Sequence, residues 1–123
     1  YNVNDKVVNI VDAGSSGHSG IRNDIDTHKH ILKNEDIKVK TKTLTRIMDE
    51  NNSPKFIEYL SIDTEGSELK ILEGIDFNKY SFGYINIEHN HQEPRRTQMR
   101  NLLLKNGYRY MGEDNVDDIY IKE

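Results

Sequence analysis

The sequence predicts an α/β fold, in which a mostly parallel sheet is covered by helices and closed by an antiparallel hairpin. Short runs of β-branched and aromatic residues alternate with segments of helical periodicity, as in parallel-sheet proteins. Residues 56–62 are almost continuously apolar, which is typical of a strand buried on both faces of such a sheet. The last two strand patterns, at 108–111 and 118–121, are joined by the short polar stretch 112–115, which favours a hairpin.

The first half of the chain has the weaker signals. β-branched residues predict a strand over residues 7–11, and three glycines and three serines mark residues 14–20 as a loop. Residues 38–41 predict a short exposed strand. Thr43 is a candidate N-cap for a helix that starts at Leu44, and the Asn-Asn-Ser-Pro sequence further on ends that helix.

The second half alternates more clearly between the two periodicities. The strand pattern at 56–62 leads into Asp-Thr-Glu-Gly-Ser-Glu at 63–68 and then into helical spacing that ends near Gly74. A strand over residues 84–87 follows. Pro94 is suited to the first turn of the last helix, because its fixed φ matches the helix and its missing N–H is not needed there.

The composition limits the classes of function. The 123 residues suit one domain, 1–123. Seventeen basic and 21 acidic residues give a net charge of −4, which argues against a basic nucleic-acid surface. No apolar run approaches the ~18 residues of a membrane helix. Cysteine is absent, which excludes disulfides, thiolate zinc sites and a cysteine nucleophile and fits the reducing cytoplasm, where we expect the protein.

Polar side chains follow two strands at the points where they end. Asp63 and Glu65 come after one apolar strand, and Glu88, His89 and His91 come after the next. Sequential strands joined by a helix usually pair, so these side chains are expected at one rim of the sheet, where open α/β folds bind ligands. Such a group suits a general base, a hydroxyl anchor or a metal site.

Each of these groups also has a structural interpretation. Residues 63–65 could cap the next helix, because carboxylates favour the positive end of a helix dipole. His89 and His91 are more often solvated than chelating at such a position, and we assign no metal ion. The Ser/Gly loop at 15–20 could form a phosphate-binding nest, but it matches neither common phosphate motif. Arg95, Arg96 and Arg100 are interpreted as a solvated helix face.

Three segments resemble the FkbM-type methyltransferase family. They are residues 39–45 (VKTKTLT), 57–75 (IEYLSIDTEGSELKILEGI) and 84–88 (YINIE). The family has a short strand, a helix start with Thr-Leu, an apolar strand that runs into D-x-E-G-x-E, and a strand that ends in Glu. The D-x-E-G-x-E element is matched by Asp63, Glu65, Gly66 and Glu68.

The resemblance implies methyl transfer from S-adenosylmethionine, usually to oxygen, on the Rossmann-like sheet of class I methyltransferases. Asp63 would lie at the end of the central strand and act as base or hydroxyl positioner, because removal of the hydroxyl proton makes the oxygen a better nucleophile. Glu65 and Glu88 would line the same rim and support it. The acceptor would be a small molecule with a hydroxyl group, such as a sugar, a lipid or a polyketide-like compound.

The resemblance also suggests binding residues. The cofactor is expected at Asp63, Thr64 and Gly66, and at Ser16 and Gly17 of the Ser/Gly loop. The side chains of His89 and His91 are candidate contacts for the acceptor.

The chain departs from the family in two elements. The Gly-rich loop after the family's first strand is missing, and so is the acidic residue after the second strand. We therefore interpret the chain as the family's domain from about the third strand onward, a fragment that is inactive and holds the cofactor poorly on its own. Without the first strand, residues 56–62 would form an exposed edge, which predicts a homodimer or a rearranged N-terminal strand.

Two other classes of function stay open at this stage. One is a non-catalytic α/β module that binds a partner or oligomerises through the acidic rim or the open edge. The other, less favoured, is a metal-dependent hydrolase that uses Asp63, His89 and His91.

Overall fold

The computed structural model describes residues 1–11, 20–21 and 36–123. Along this part of the chain the helices and strands are β1 (Val7–Val11), β2 (Gly20–Ile21), β3 (Asp36–Lys40), α1 (Leu44–Glu50), β4 (Phe56–Ile62), α2 (Glu68–Glu73), β5 (Ser81–Glu88), α3 (Arg95–Lys105), β6 (Tyr108–Asp114) and β7 (Asp117–Lys122). The alternation of strands and helices predicted from the sequence is therefore confirmed, and the fold is α/β. No helix within these residues is both long and apolar enough to span a lipid bilayer.

The larger sheet has the strand order β4-β5-β7-β6. β4 pairs with β5 in parallel, whereas β7 is antiparallel to both of its neighbours. The predicted C-terminal hairpin is confirmed, but the prediction of a mostly parallel sheet is wrong for the described residues, where β4–β5 is the single parallel pair. The hairpin causes the difference: a two-residue turn makes β7 antiparallel to β6, and β7 rather than β6 then lies beside β5.

A smaller sheet has the order β2-β1-β3, and both of its pairings are antiparallel. The strand predicted at 7–11 is present, but it pairs with β3 and not with the larger sheet. Backbone hydrogen bonds extend this pairing beyond the strands, since the Asp5 N–H donates to the Thr41 carbonyl and the Thr41 N–H donates to the Lys6 carbonyl. β1 therefore belongs to a local antiparallel sheet, which requires no crossover helix.

The core is formed by the larger sheet together with residues of all three helices. Its buried hydrophobic residues are Met48, Ile62, Leu72, Ile75, Tyr80, Phe82, Ile85, Ile87, Met99, Leu103, Tyr108 and Tyr120. Side chains alternate along a strand, so Phe82 points to one face of β5 and Ile85 and Ile87 point to the other, and all three are buried. β5 is therefore an interior strand that is covered on both faces at these positions.

β4 differs from the prediction of a strand buried on both faces. Phe56 is 53% exposed and Tyr59 is 55% exposed, and the Tyr59 ring lies 5.5 Å from that of Tyr84. Among the described residues β4 has a partner strand on one side only, and it is an edge strand of the larger sheet. Ile62, at the end of the strand that leads to the polar rim, is buried.

The helix ends follow the predicted capping signals. The Thr43 hydroxyl accepts a hydrogen bond from the Arg46 N–H, as an N-cap does, and Gly74 ends α2. A side chain is excluded at Gly74, because a Cβ atom there would lie 2.0 Å from the Tyr1 carbonyl oxygen. The final turn is shorter than predicted: residues 112–114 belong to β6, which has a bulge between Tyr110 and Gly112.

Candidate active site at the carboxyl ends of β4 and β5

The parallel pairing of β4 and β5 builds the site. Their register matches Ile62 with Ile87, so Asp63, which follows β4, lies beside Glu88, the last residue of β5. The carboxyl oxygens of Asp63, Glu65 and Glu88 lie within 4.8 Å of one another. The prediction that these strands are neighbours is confirmed, and the three residues form the acidic rim of the sheet.

The loop that carries Asp63 and Glu65 is shaped by a buried carboxylate. Glu68, the first residue of α2, is fully buried, and its Oε1 accepts hydrogen bonds from the Thr64 N–H at 2.8 Å and the Thr64 hydroxyl at 3.3 Å. The Gly66 N–H donates to Oε2 of the same carboxylate at 3.1 Å. Burial raises the pKa of Glu68, whereas the hydrogen bonds from Thr64 and Gly66 oppose this shift. The motif's last glutamate therefore holds the loop and does not line the rim.

The backbone of this loop is left-handed at two consecutive positions, with φ of 57° at Glu65 and 120° at Gly66. The second value is one that residues with a side chain rarely adopt, which explains the glycine of the motif. The first costs about 1 kcal/mol for a residue with a Cβ. The conformation therefore depends on the hydrogen bonds to Glu68.

Glu88 has the most perturbed carboxyl group of the rim. Burial, and next the charge and hydrogen bond of Asp63, raise the pKa of Glu88 to about 8. The shift favours the protonated form of Glu88 beside Asp63. A ligand with a positive charge would relieve the repulsion that produces this shift.

A pocket of about 370 Å³ lies beside the same loop. Val8 and Val39 line it from the smaller sheet, and Thr64, Ser67 and Ile71 line it from the loop and α2. Its walls are mostly apolar. Thr64 therefore borders both the acidic rim and an apolar pocket, an arrangement that suits a ligand with a charged centre and an uncharged ring.

The domain model of the methyltransferase FkbM family matches residues 2–110 of the 123-residue chain. The chain belongs to this family. No curated protein and no solved structure has a significant match to it. The resemblance inferred from the segments at 39–45, 57–75 and 84–88 is thus confirmed over almost the whole chain, and the chain is a methyltransferase domain of the FkbM type.

The remaining predicted site residues of this FkbM domain do not all lie at the acidic rim. Thr64 and Gly66 lie in the loop, where both N–H groups donate to Glu68. Ser16 and Gly17 lie outside the described residues. The His91 side chain is exposed in the turn after β5, whereas His89 is fully buried and faces the hairpin. The His89 ring is therefore not open to an acceptor in this arrangement.

His89 belongs to a second polar cluster, between α3 and the hairpin. Its Nδ1 accepts a hydrogen bond from the His91 N–H at 2.9 Å, and its Nε2 lies 3.5 Å from Glu113 Oε1 and 3.7 Å from Asp118 Oδ1. Because Nδ1 is an acceptor, the neutral ring carries its proton on Nε2. No nitrogen lone pair of His89 is then directed at a metal ion, although His91 and Glu113 lie close enough to join one.

The centre of this second cluster is a residue that sequence reasoning missed. Asp118 is 1% exposed, and it accepts two hydrogen bonds from Arg96, at 2.7 and 2.9 Å, and one from Arg100 at 3.2 Å. The interpretation of these arginines as a solvated face is therefore wrong. The sequence did contain a signal: Arg96 and Arg100 are spaced i, i+4 on one helix face, and Asp118 is an acidic residue within an apolar strand pattern. Connecting the two would have required knowledge that β7 pairs with β5.

The raised pKa of Glu88 predicts a pH-dependent stability for this FkbM domain. Between about pH 4.5 and 8 the folded state keeps a proton that the unfolded state has lost, so stability should fall as pH rises through this window. Glu88→Gln should remove this loss and raise the free energy of unfolding by roughly 1–2 kcal/mol at pH 8, but not at pH 4.5. Urea denaturation at both pH values measures the effect. Glu73→Gln, on the exposed face of α2, is the control, and equal gains at both pH values would contradict the prediction.

Proposed function

We propose that this FkbM domain transfers a methyl group from S-adenosylmethionine to a hydroxyl oxygen of a small molecule. The observation that supports it most is the acidic rim of Asp63, Glu65 and Glu88 at the ends of two adjacent parallel strands. A sugar, a lipid or a polyketide-like compound is the expected acceptor.

The residues present suit this cofactor. The acidic rim favours a positive centre, as the raised pKa of Glu88 indicates, and the neighbouring pocket offers apolar surface to uncharged groups. Asp63, Thr64 and Gly66 are the described residues proposed to hold the cofactor. When bound, S-adenosylmethionine would supply an electrophilic methyl group on a sulfonium sulfur.

Asp63 is the proposed base. Its side chain is exposed at the rim, so the hydroxyl of an acceptor can approach it. The Asp63 carboxylate would accept the proton of the acceptor hydroxyl, which makes the oxygen a better nucleophile toward the methyl group. Glu88 and Glu65 lie beside Asp63 and complete the rim. His91 is the proposed contact for the remainder of the acceptor.

The test is calorimetric titration of S-adenosylmethionine into the 123-residue chain, followed by transfer assays with methyl-labelled cofactor. Neutral sugars, lipid alcohols and polyketide alcohols are the acceptor panel. Saturable binding and a labelled ether product support the proposal. A folded chain that neither binds the cofactor nor labels any acceptor would contradict transfer by this chain itself and would agree with the prediction from the sequence that the chain alone holds the cofactor poorly.

The open side of β4 supports a second proposal, that two copies of the chain pair through this strand. Within the described residues β4 is an edge strand, and two of its aromatic residues, Phe56 and Tyr59, are exposed. Exposed apolar edges favour pairing with another chain. We expect a dimer in size-exclusion chromatography with light scattering, and we expect Tyr59→Lys to make it monomeric. Arg109→Lys, at an exposed position on β6, is the control, and a wild-type monomer at high concentration would contradict the proposal.

A further inference from the structure

The turn that follows β5 contains two consecutive residues with a left-handed backbone, with φ of 47° at Asn90 and 55° at His91. This conformation is uncommon for residues other than glycine, so the turn depends on contacts that stabilise it. One contact comes from a side chain, because the His91 N–H donates to Nδ1 of His89 at 2.9 Å. A second comes from the backbone, where the Gln92 N–H donates to the His89 carbonyl at 2.9 Å. His89 therefore holds the turn at residues 89–92 through both its ring and its carbonyl group.

The hydrogen bond at Nδ1 is possible in one charge state of the ring. An imidazole nitrogen accepts a hydrogen bond while it carries no proton, and the imidazolium form has a proton on both nitrogens. In that form the Nδ1–H of His89 and the N–H of His91 would be two donors 2.9 Å apart. Because the His89 ring is fully buried, water does not replace the lost bond while the turn stays closed. Protonation of His89 and the closed turn are therefore incompatible.

The charged and titratable groups that face the His89 ring come from three elements and from the turn itself. They are Asp118 of β7, Glu113 of β6, Arg96 of α3 and His91. Burial is the largest influence and lowers the pKa of His89, and Arg96 and His91 act in the same direction. The two carboxylates oppose this shift without cancelling it. The ring is therefore neutral, and the turn is closed, at neutral pH.

We propose that the turn at residues 89–92 is an acid-sensitive switch, which opens when His89 binds a proton at Nδ1. Opening relieves the left-handed backbone at Asn90 and His91. Glu113 and Asp118, whose carboxylate oxygens lie 3.5 and 3.7 Å from Nε2, then stabilise the positive ring. The opening itself goes beyond the proposed function. A weaker contact between His91 and an acceptor in acid would follow only if that function holds.

Proton linkage sets the expected size of the effect. A solvated histidine ring, as in the open turn, has a pKa of about 6.5, whereas the pKa of the buried ring is lower. Between these two values the population of the open turn should grow about tenfold for each unit by which the pH falls. The protection of the amide of residue 91 against hydrogen exchange, relative to its intrinsic exchange rate, should decrease by the same factor.

The experiment follows amide exchange and the His89 ring signal by NMR in the 123-residue chain, between about pH 7 and 5 and with EDTA present. We expect protection at residue 91 to fall as the ring of His89 titrates. In His89→Asn the side-chain oxygen can accept the same hydrogen bond and gains no proton in this range, so protection should not depend on pH. His91→Gln is the matched control: it removes the other histidine of the turn, keeps the backbone N–H and should retain the pH dependence of the wild type.

Two results would overturn the proposal. One is protection at residue 91 that stays constant with pH in the wild type. The other is an equal fall in His89→Asn, which would assign the effect to the carboxylates of Glu113 and Asp118. If His89→Asn does not fold, the wild type decides alone, because protection at residue 91 must follow the His89 ring and must fall more than that of the buried core residue Leu103. None of these readouts involves methyl transfer, so they test the switch separately from the proposed function.

Discussion

Asp118→Ala is expected to lower the free energy of unfolding by about 2–3 kcal/mol, because it removes a buried carboxylate and its charge-assisted hydrogen bonds from the half-buried Arg96 and Arg100. Asp118 is almost fully buried and accepts hydrogen bonds from Arg96 and Arg100 of α3 and from the Tyr110 hydroxyl of β6. This one carboxylate therefore joins the last helix to both strands of the hairpin. Without Asp118, α3 and the hairpin would be held together by the apolar core alone.

The stability of Asp118→Ala should also depend less on pH than that of the wild type. Burial alone would raise the pKa of Asp118, but the hydrogen bonds and charge of Arg96 prevail and the pKa is lowered. A lowered carboxyl pKa contributes stability above the unfolded value, and this contribution is lost as the pH falls through the folded value. Acid should therefore destabilise the wild type below about pH 4 more than it destabilises Asp118→Ala.

Thermal and urea denaturation with circular dichroism measure both effects. Asp114→Ala is the matched control, since Asp114 is an exposed aspartate of the same hairpin. It should change the free energy of unfolding by less than about 0.5 kcal/mol. Equal stability losses in the two variants would show that Asp118 has no special role.

Asp63→Asn is expected to lower kcat for methyl transfer by about 10²- to 10⁴-fold, the usual contribution of a general base. Asparagine has nearly the size of aspartate and keeps its hydrogen-bonding reach, but it cannot take the proton of an acceptor hydroxyl. The affinity for S-adenosylmethionine should change much less than kcat. The predicted effect of Asp63→Asn is therefore on the rate of the chemical step. Asp63 is the residue that both the family motif and the geometry of the rim indicate.

A second measurement on this variant does not depend on activity. Asp63 is, after burial, the main cause of the raised pKa of Glu88, so Asp63→Asn should bring that pKa down from about 8. Glu58→Gln removes an exposed carboxylate from the same strand and is the control for both readouts. Unchanged kcat in Asp63→Asn would exclude the residue as the base, and an unchanged pKa of Glu88 would exclude close contact between the two carboxyl groups.

Much of the local structure could be predicted because it depends on neighbours in the sequence. Helical spacing and capping signals placed α1 at Thr43 and the end of α2 at Gly74, and both are confirmed. The acidic rim was also predictable, because strands joined by one helix usually pair and their carboxyl ends then coincide. The burial of Glu68 could not be predicted, since its position in the motif equally suits a rim residue.

What the sequence by itself determined is the order of strands and helices, the membership of the FkbM family and the approach of Asp63 to Glu88. Only the tertiary structure decided that β1 pairs with β3, that β4 is open on one side and that Asp118 binds the arginines of α3. The physical reason is range. Periodicity and capping act within a few residues, whereas strand order and the burial of charge depend on segments that meet only when the chain folds.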